Sequence, residues 1–377
     1  MRFIVSSSAL LKNLQLVGGI ISSNTVMPIL ENFLFELEGN ILSITGCDLE
    51  TMIKTQLEVH VDGDGETNRG QICVTSKILL EYLKNLPDQP ITFNINTAEL
   101  TIEIVSNSGK YKIGGEKTDE YPKQPKPENA NTLSVPSARL AEAINKTIFA
   151  TSSDTLRPAM TGVYFELNEG DLTFVATDAH RLIRLMFLDI NPSQTGSFIV
   201  PKKPLQQLKN WLPSDDSSVT LSYTDTHLFI QANNTSLNCR LIDGKYPPYR
   251  AVIPADNPFV MTINRTDLIN ALRRVSVFAD KSTTQVVFDI VGNTVTLSAQ
   301  YADFSYEGNE RLSCQFNGED MKIAFNGRLL IEMLNNLQGE EVALELSMPS
   351  RAGIFKPIEN PDSEDLLMLL MPLMVSA

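Results

Sequence analysis

A chain of 377 residues is too long for one ordinary hydrophobic core and points to two or three domains. With 42% hydrophobic and 20% charged residues it is globular, and a formal net charge of −14 argues against nucleic acid as a partner of any evenly charged surface. Cys47, Cys73, Cys239 and Cys314 lie far apart, without a CxxC pair or a nearby His, which excludes a disulfide framework or zinc site and reads as the core of a reduced cytosolic protein.

The N-terminal MRFIVSSSALL faintly imitates a signal peptide, but Lys12 interrupts the apolar run and no small-residue cleavage site follows. Residues 7–22 (SSALLKNLQLVGGIIS) have apolar side chains at helical spacing behind a capping Ser. FELEGNILSITGCDLETMI (35–53) reads as strand, turn, strand, then an Asp followed by apolar residues. SKILLEYLKNLPDQPITF (76–93) is a short helix stopped by Pro, then a strand, and the Pro- and Lys-rich YPKQPKPENANT (121–132) is a linker. The same order then recurs as SARLAEAINKTIFATS (137–152), FELNEGDLTFVATDAHRLI (165–183) and PKKPLQQLKNWLPSDDSSVTL (201–221), with a second linker at IPADNP (253–258). A third copy runs through RTDLINALRRVSVFAD (265–280), VFDIVGNTVTLSAQYADFSY (287–306) and NGRLLIEMLNNLQGEEVAL (326–344). Asp48 and Asp178 stand 130 apart, and Leu83, Leu208 and Leu334 are spaced by 125 and 126. The expectation is an α+β protein of three tandem copies, helices on antiparallel sheet, over 1–124, 125–255 and 256–377. The chain closes on DLLMLLMPLMVSA (365–377), about ten apolar residues where a bilayer helix needs roughly 20. A buried last strand or a docking surface remains.

The positive charge is segregated. Six predicted helices (8–21, 76–86, 137–151, 202–211, 265–279, 327–337) hold twelve Lys or Arg and four acids, a net of +8 that leaves −22 for the remainder. Basic helices inside an acidic shell suit a protein that surrounds DNA without sticking to it elsewhere, and no base-reading constellation appears. The alternative is that Lys and Arg simply favour helix surfaces.

RPAMTGVYFELNEGDLTFVATDAHRLI (157–183), DGKYPPYRAVIP (243–254) and the terminal Met-Pro resemble the bacterial DNA polymerase sliding clamp family from end to end, in length, repeats and motif order. The resemblance implies a non-enzymatic processivity factor: a head-to-tail homodimeric ring of six domains around duplex DNA, cytoplasmic, without cofactor or metal. Its implied partners are the replicative polymerase catalytic subunit, the clamp loader and other polymerases and repair proteins with clamp-binding motifs, and no membrane. It implies a peptide pocket built from Met160, from Thr177, Ala179, His180, Arg181 and Leu182, from Pro247, Ala251 and Val252, and from Leu369, Leu370, Met371, Pro372, Leu373 and Met374. Leu366–Leu370 should be largely core and Met371–Met374 exposed at the pocket. Methionine suits a surface that accepts several ligands, and Pro372 suits a strand end.

DNA-facing positions are then Asn24, Lys77, Lys84, Arg139, Lys146, Lys202, Lys203, Lys209, Arg265, Arg273 and Arg274. Ring closure would use Tyr111 and Ile113 on one edge and Val277 and Phe278 on the other, with Lys281 and Glu307 adding weak ion pairs. The sequence departs from the family pattern at Ala179, where many members have Gly, at Ala251, where some have Arg, at Asn24, where relatives can carry a DNA-contacting Arg, and at Leu373 and Met374. A hydrolase reading of His180 finds no GxSxG, HExxH or P-loop. A scaffold of the same triplicated fold, without topological retention on DNA, is the more serious rival, and salt resistance separates the two.

Overall fold

The structure, a computed structural model, describes residues 1–22, 26–61, 68–213, 215 and 217–374. Six α-helices lie among them: α1 (Ser7–Gly18), α2 (Ser76–Lys84), α3 (Ser137–Thr147), α4 (Lys202–Lys209), α5 (Arg265–Val275) and α6 (Gly327–Asn335). Side-chain caps mark the starts of α1, α5 and α6. Ser6 accepts from the amide of Ala9, Asn264 from that of Asp267 and Asn326 from that of Leu329, satisfying amides that have no partner inside the helix. Leu10, Leu14 and Val17 of α1, and Leu268, Leu272 and Val275 of α5, form the buried stripes that the i, i+4, i+7 spacing anticipates.

The chain divides into two compact units, residues 1–141 with 203–241 and residues 142–202 with 242–377. These cut across the three repeats because the sheets do. In the first unit a twelve-stranded antiparallel sheet runs from Arg2–Ser6 at one edge to Asn131–Pro136 at the other. Within it, Thr51–Glu58 of the first repeat pairs with Thr235–Arg240 of the second, Thr51 opposite Cys239. The second unit holds a nine-stranded sheet and a four-stranded one. There Arg181–Phe187 of the second repeat pairs with the last strand, Glu364–Leu370, Arg181 opposite Leu370.

Each unit has an aromatic core. Phe3 stacks on Phe93 at 4.9 Å in the first, while Phe165, Phe174 and Phe187 form edge-on contacts in the second, as do Phe288, Phe325 and Phe355. Each buried ring contributes about 1.5–3 kcal/mol. All four cysteines are buried and free, and burial pushes the thiols of Cys47 up to about 11 and of Cys73 and Cys239 up to about 12, so they stay protonated and inert. Among the described residues no helix is long and apolar enough to cross a membrane.

Candidate functional site

The second unit contains a cleft of about 340 Å³ with mostly apolar walls. Three stretches build it. The first is the turn at Asp178, whose Oδ1 accepts the amides of His180 and Arg181, each at 3.0 Å. Thr177 Oγ1 donates to the Arg181 carbonyl at 2.6 Å and accepts from the Ala179 amide at 3.2 Å. Asp and Thr close such turns by mimicking the backbone. Ala179 sits at φ +74°, a left-handed conformation that costs an L-residue with a Cβ about 1 kcal/mol.

Arg181 locks this turn. Its Nε donates to Asp178 Oδ2 at 3.0 Å, Nη1 to Glu332 Oε2 at 2.8 Å and Nη2 to the Phe149 carbonyl at 2.7 Å, with the guanidinium 5.0 Å from the centre of the Phe149 ring. The second wall is YPPYR (246–250). Tyr246 donates to the Val175 carbonyl at 3.3 Å and stacks on Tyr164 at 4.6 Å. Tyr249 donates to Glu166 at 2.6 Å, and Arg250 grips both oxygens of the same carboxylate at 2.9 and 2.8 Å. Burial and the Glu166 carboxylate push the Tyr249 phenol well above its ordinary range, so it remains a donor. The third wall is the tail: the Met371 amide donates to the His180 carbonyl at 2.8 Å, so the last strand closes on the turn.

Met160, Thr177, Ala179, His180, Arg181, Leu182, Pro247, Ala251, Val252, Leu369 and Met371 all line this one cleft. Arg157, Pro248 and Tyr249 line it too, though the sequence reading did not name them; all three stand inside the motif stretches that carried the resemblance. Leu370, Pro372, Leu373 and Met374 do not line it, which corrects the expectation for the tail. Side chains alternate along a strand, so Leu367 and Leu369 pack toward Leu182, Tyr246 and Tyr249 while Leu370 turns to the opposite face, fully buried. Beyond Met371 the chain leaves: the Leu373 amide donates to the Ala324 carbonyl at 2.8 Å, and the Met374 carbonyl accepts from Gln285 at 3.2 Å.

The basic positions divide. Lys77, Lys84, Lys209 and Arg273 are exposed, and Arg139 and Lys202 are half-buried. Lys203 donates to Asp48 and to the Ile20 carbonyl, Arg274 pairs with Glu310, and Arg265 donates to the Leu334 carbonyl in the last turn of α6 and to the Gly339 carbonyl beyond it. Lys146 is removed from the DNA-facing set. It is only 6% exposed and pairs with Glu142 at 2.7 Å and Glu364 at 2.9 Å, because its place on α3 turns it to the strand that carries Glu364. Asn24 lies outside the described residues.

Of the edge positions, Tyr111, Val277 and Phe278 are exposed and Ile113 is half-buried. Lys110–Glu116 pairs along Lys110–Gly114 with Thr101–Val105, but reaches its other neighbour only through Gly115 and Glu116, leaving Tyr111 and Ile113 on an edge among the described residues. Tyr111 packs on Tyr82 with ring centres 4.6 Å apart. In the second unit Tyr306–Ser313 ends the four-stranded sheet, Val277 is 74% exposed, and a Cβ at Gly308 would meet the Phe278 ring at 2.6 Å. Gly308 is what lets that ring lie on the edge strand.

In the turn that holds His180, the Thr177 hydroxyl and the Asp178 carboxylate are engaged with backbone groups and with Arg181. Fold and cleft together define a protein of tandem clamp domains with an apolar pocket beside the Asp178 turn. The N-terminal, central and C-terminal domain models of the DNA polymerase III beta subunit match residues 1–125, 134–248 and 250–372. The beta sliding clamp of Synechocystis is 30% identical over 386 residues, covering 95% of this chain and 96% of that protein. That of Bacillus subtilis is 27% identical over 381 residues and covers 99% of each. A crystal structure of the sliding clamp from Pseudomonas aeruginosa bound to griselimycin superposes over 100% of both chains, with a TM-score of 0.92 and 25% identity. The chain belongs to the bacterial beta sliding clamp family, the DNA polymerase III beta subunits, which are accessory processivity factors and not enzymes.

Proposed function

We propose that two copies of this chain close head to tail into a cytoplasmic ring around duplex DNA, and that the cleft at the Asp178 turn receives short linear segments of partner proteins. Those partners are the replicative polymerase catalytic subunit, the clamp loader, and other polymerases and repair proteins. The domains responsible are 1–124, 125–255 and 256–377. The observation that carries the reading is the cleft itself: a 340 Å³ apolar trough with the flexible Met371 at its lip, held open by hydrogen bonds that a ligand need not break. A tethered polymerase turns each dissociation into a short excursion at high effective concentration.

Ring closure pairs the Lys110–Gly114 edge of one copy with the Tyr306–Ser313 edge of the other. Tyr111 and Ile113 meet Val277 and Phe278, and Lys110 and Lys112 face an edge that bears Glu307 and Glu310. Exposed Lys77, Lys84, Lys209 and Arg273 touch phosphates without reading bases. The deciding experiment loads the protein onto nicked circular duplex and passes it over a sizing column at high salt. A ring stays with the circle and falls off after the DNA is linearised. Loss from the intact circle would favour the rival scaffold, whose contacts salt screens away.

A further inference from the structure

Arg181 borders the cleft, yet its charged group runs away from it. The residue is 5% exposed, and its guanidinium joins three elements: its own turn through Asp178, the segment after α3 through the Phe149 carbonyl, and α6 of the third repeat through Glu332. A charge withdrawn from water needs such neutralising partners, and the planar fork of arginine fixes their directions. We propose that Glu332 is a positioning residue for the cleft, and that through Arg181 it links occupancy of the cleft to the position of α6. The link rests on the peptide-binding reading above.

The two carboxylates on Arg181 have different duties. Asp178 is committed to the turn, since its other oxygen holds the amides of His180 and Arg181. Glu332 has no such local task. The start of α6 is capped by Asn326, and its end is held by Arg265 on the Leu334 carbonyl and by Asn336 on the Glu332 main-chain carbonyl. The Glu332 side chain, 46% exposed, therefore serves the neighbouring repeat rather than its own helix. The Arg181 main chain meanwhile carries the cleft wall: its carbonyl accepts from Thr177 Oγ1, and Leu182 and the last strand follow in register. A ligand that presses on residues 177–182 must shift the guanidinium, and α6 follows through the 2.8 Å contact. Because the cleft turn lies in the second repeat and α6 in the third, one side chain joins the two repeats.

Griselimycin, bound by the Pseudomonas aeruginosa relative, is the probe. Hydrogen exchange on the intact protein, with and without it, should show slower exchange in 177–182 and also in α6. Glu332→Gln, which keeps shape but loses charge, should bind griselimycin about 5- to 10-fold more weakly. It should lose the α6 response while keeping the wild-type exchange of α6 without ligand, which a merely structural role would not leave unchanged. Wild-type affinity in the variant, or an α6 response that persists in it or is absent from the wild type, overturns the link and leaves the cleft reading standing. Failure of the wild type to bind, or binding without slower exchange in 177–182, overturns the cleft reading and the link with it.

Discussion

The Asp48 turn in the first repeat and the Asp178 turn in the second share one backbone and differ in everything that meets solvent. Asp48 Oδ1 accepts the amides of Glu50 and Thr51 as Asp178 Oδ1 accepts those of His180 and Arg181. Leu49 at φ +77° stands where Ala179 stands at +74°. Tyr121 donates to the Thr45 carbonyl at 3.1 Å as Tyr246 does to that of Val175 at 3.3 Å, three residues before the Asp in both cases. Even the closing strands agree: Arg240 donates to the Glu50 carbonyl, and Met371 to the His180 carbonyl, both at 2.8 Å.

The walls then diverge. Leu369 and Met371 have Asn238 and Arg240 as their counterparts, and Pro247-Pro248-Tyr249 has Pro122-Lys123-Gln124. The cavity beside Tyr121, about 420 Å³, is edged by Glu36, Lys54, Gln71, Asp119 and Lys123, with Lys54 and Glu36 paired at 2.9 Å. A ligand entering there must strip water from charges, whereas one entering beside Tyr246 mainly displaces water from carbon. Backbone geometry makes a recess in both repeats, and side-chain chemistry decides how apolar each recess is. The inner ties are also exchanged. The second turn sends Arg181 out to Glu332, while at the first, with Thr51 in that position, Lys203 comes in to Asp48.

The largest expected effect falls on the inner ties. Arg181→Ala leaves Asp178 and the Phe149 carbonyl without their buried donor and should cost about 3 kcal/mol in denaturant unfolding of the second unit. Thr51→Ala, its counterpart, should cost far less, and equal losses would erase the distinction between the two turns. Next, deleting 371–377 should weaken griselimycin binding by about tenfold or more while the dimer mass persists in light scattering, since Met371 and the strand end form one wall. Unchanged binding would move the site elsewhere.

Tyr246→Phe and Tyr121→Phe test what the turns share. Each removes one buried hydroxyl-to-carbonyl bond and should cost about 1 kcal/mol, so unequal values would show that the locks are not equivalent. Smallest is Ala179→Gly, which relieves the left-handed backbone and should stabilise by roughly 0.5 kcal/mol after the entropy of a new glycine is subtracted, measured as a slight rise in Tm.

Much of this was legible in the amino-acid order. Repeats at 125–130 residues, the paired Asp turns, Tyr-Pro after each, and helices with apolar stripes are local patterns, and local patterns follow from backbone sterics and the burial of carbon. Eleven of the fifteen pocket positions that the resemblance implied line a single cleft for the same reason: they stand in short motifs whose geometry travels with them.

What the sequence could not settle depends on partners far along the chain. Lys146 looked like any helix-surface cation until the strand bearing Glu364, 218 residues away, covered it. Leu369 and Leu370 are alike in composition, but pairing of Leu182 with Leu369 sends one to the cleft and the other to the core. The bond from Arg181 to Glu332 spans 151 residues, and no local propensity encodes it. The sequence by itself determined the repeats, the turns and the kind of surface each would show, because these arise within a few residues. Which strand pairs across a repeat boundary, which charge is buried and which recess is closed by the tail were decided only when distant segments packed together. Burial and neutralisation are properties of neighbours in space.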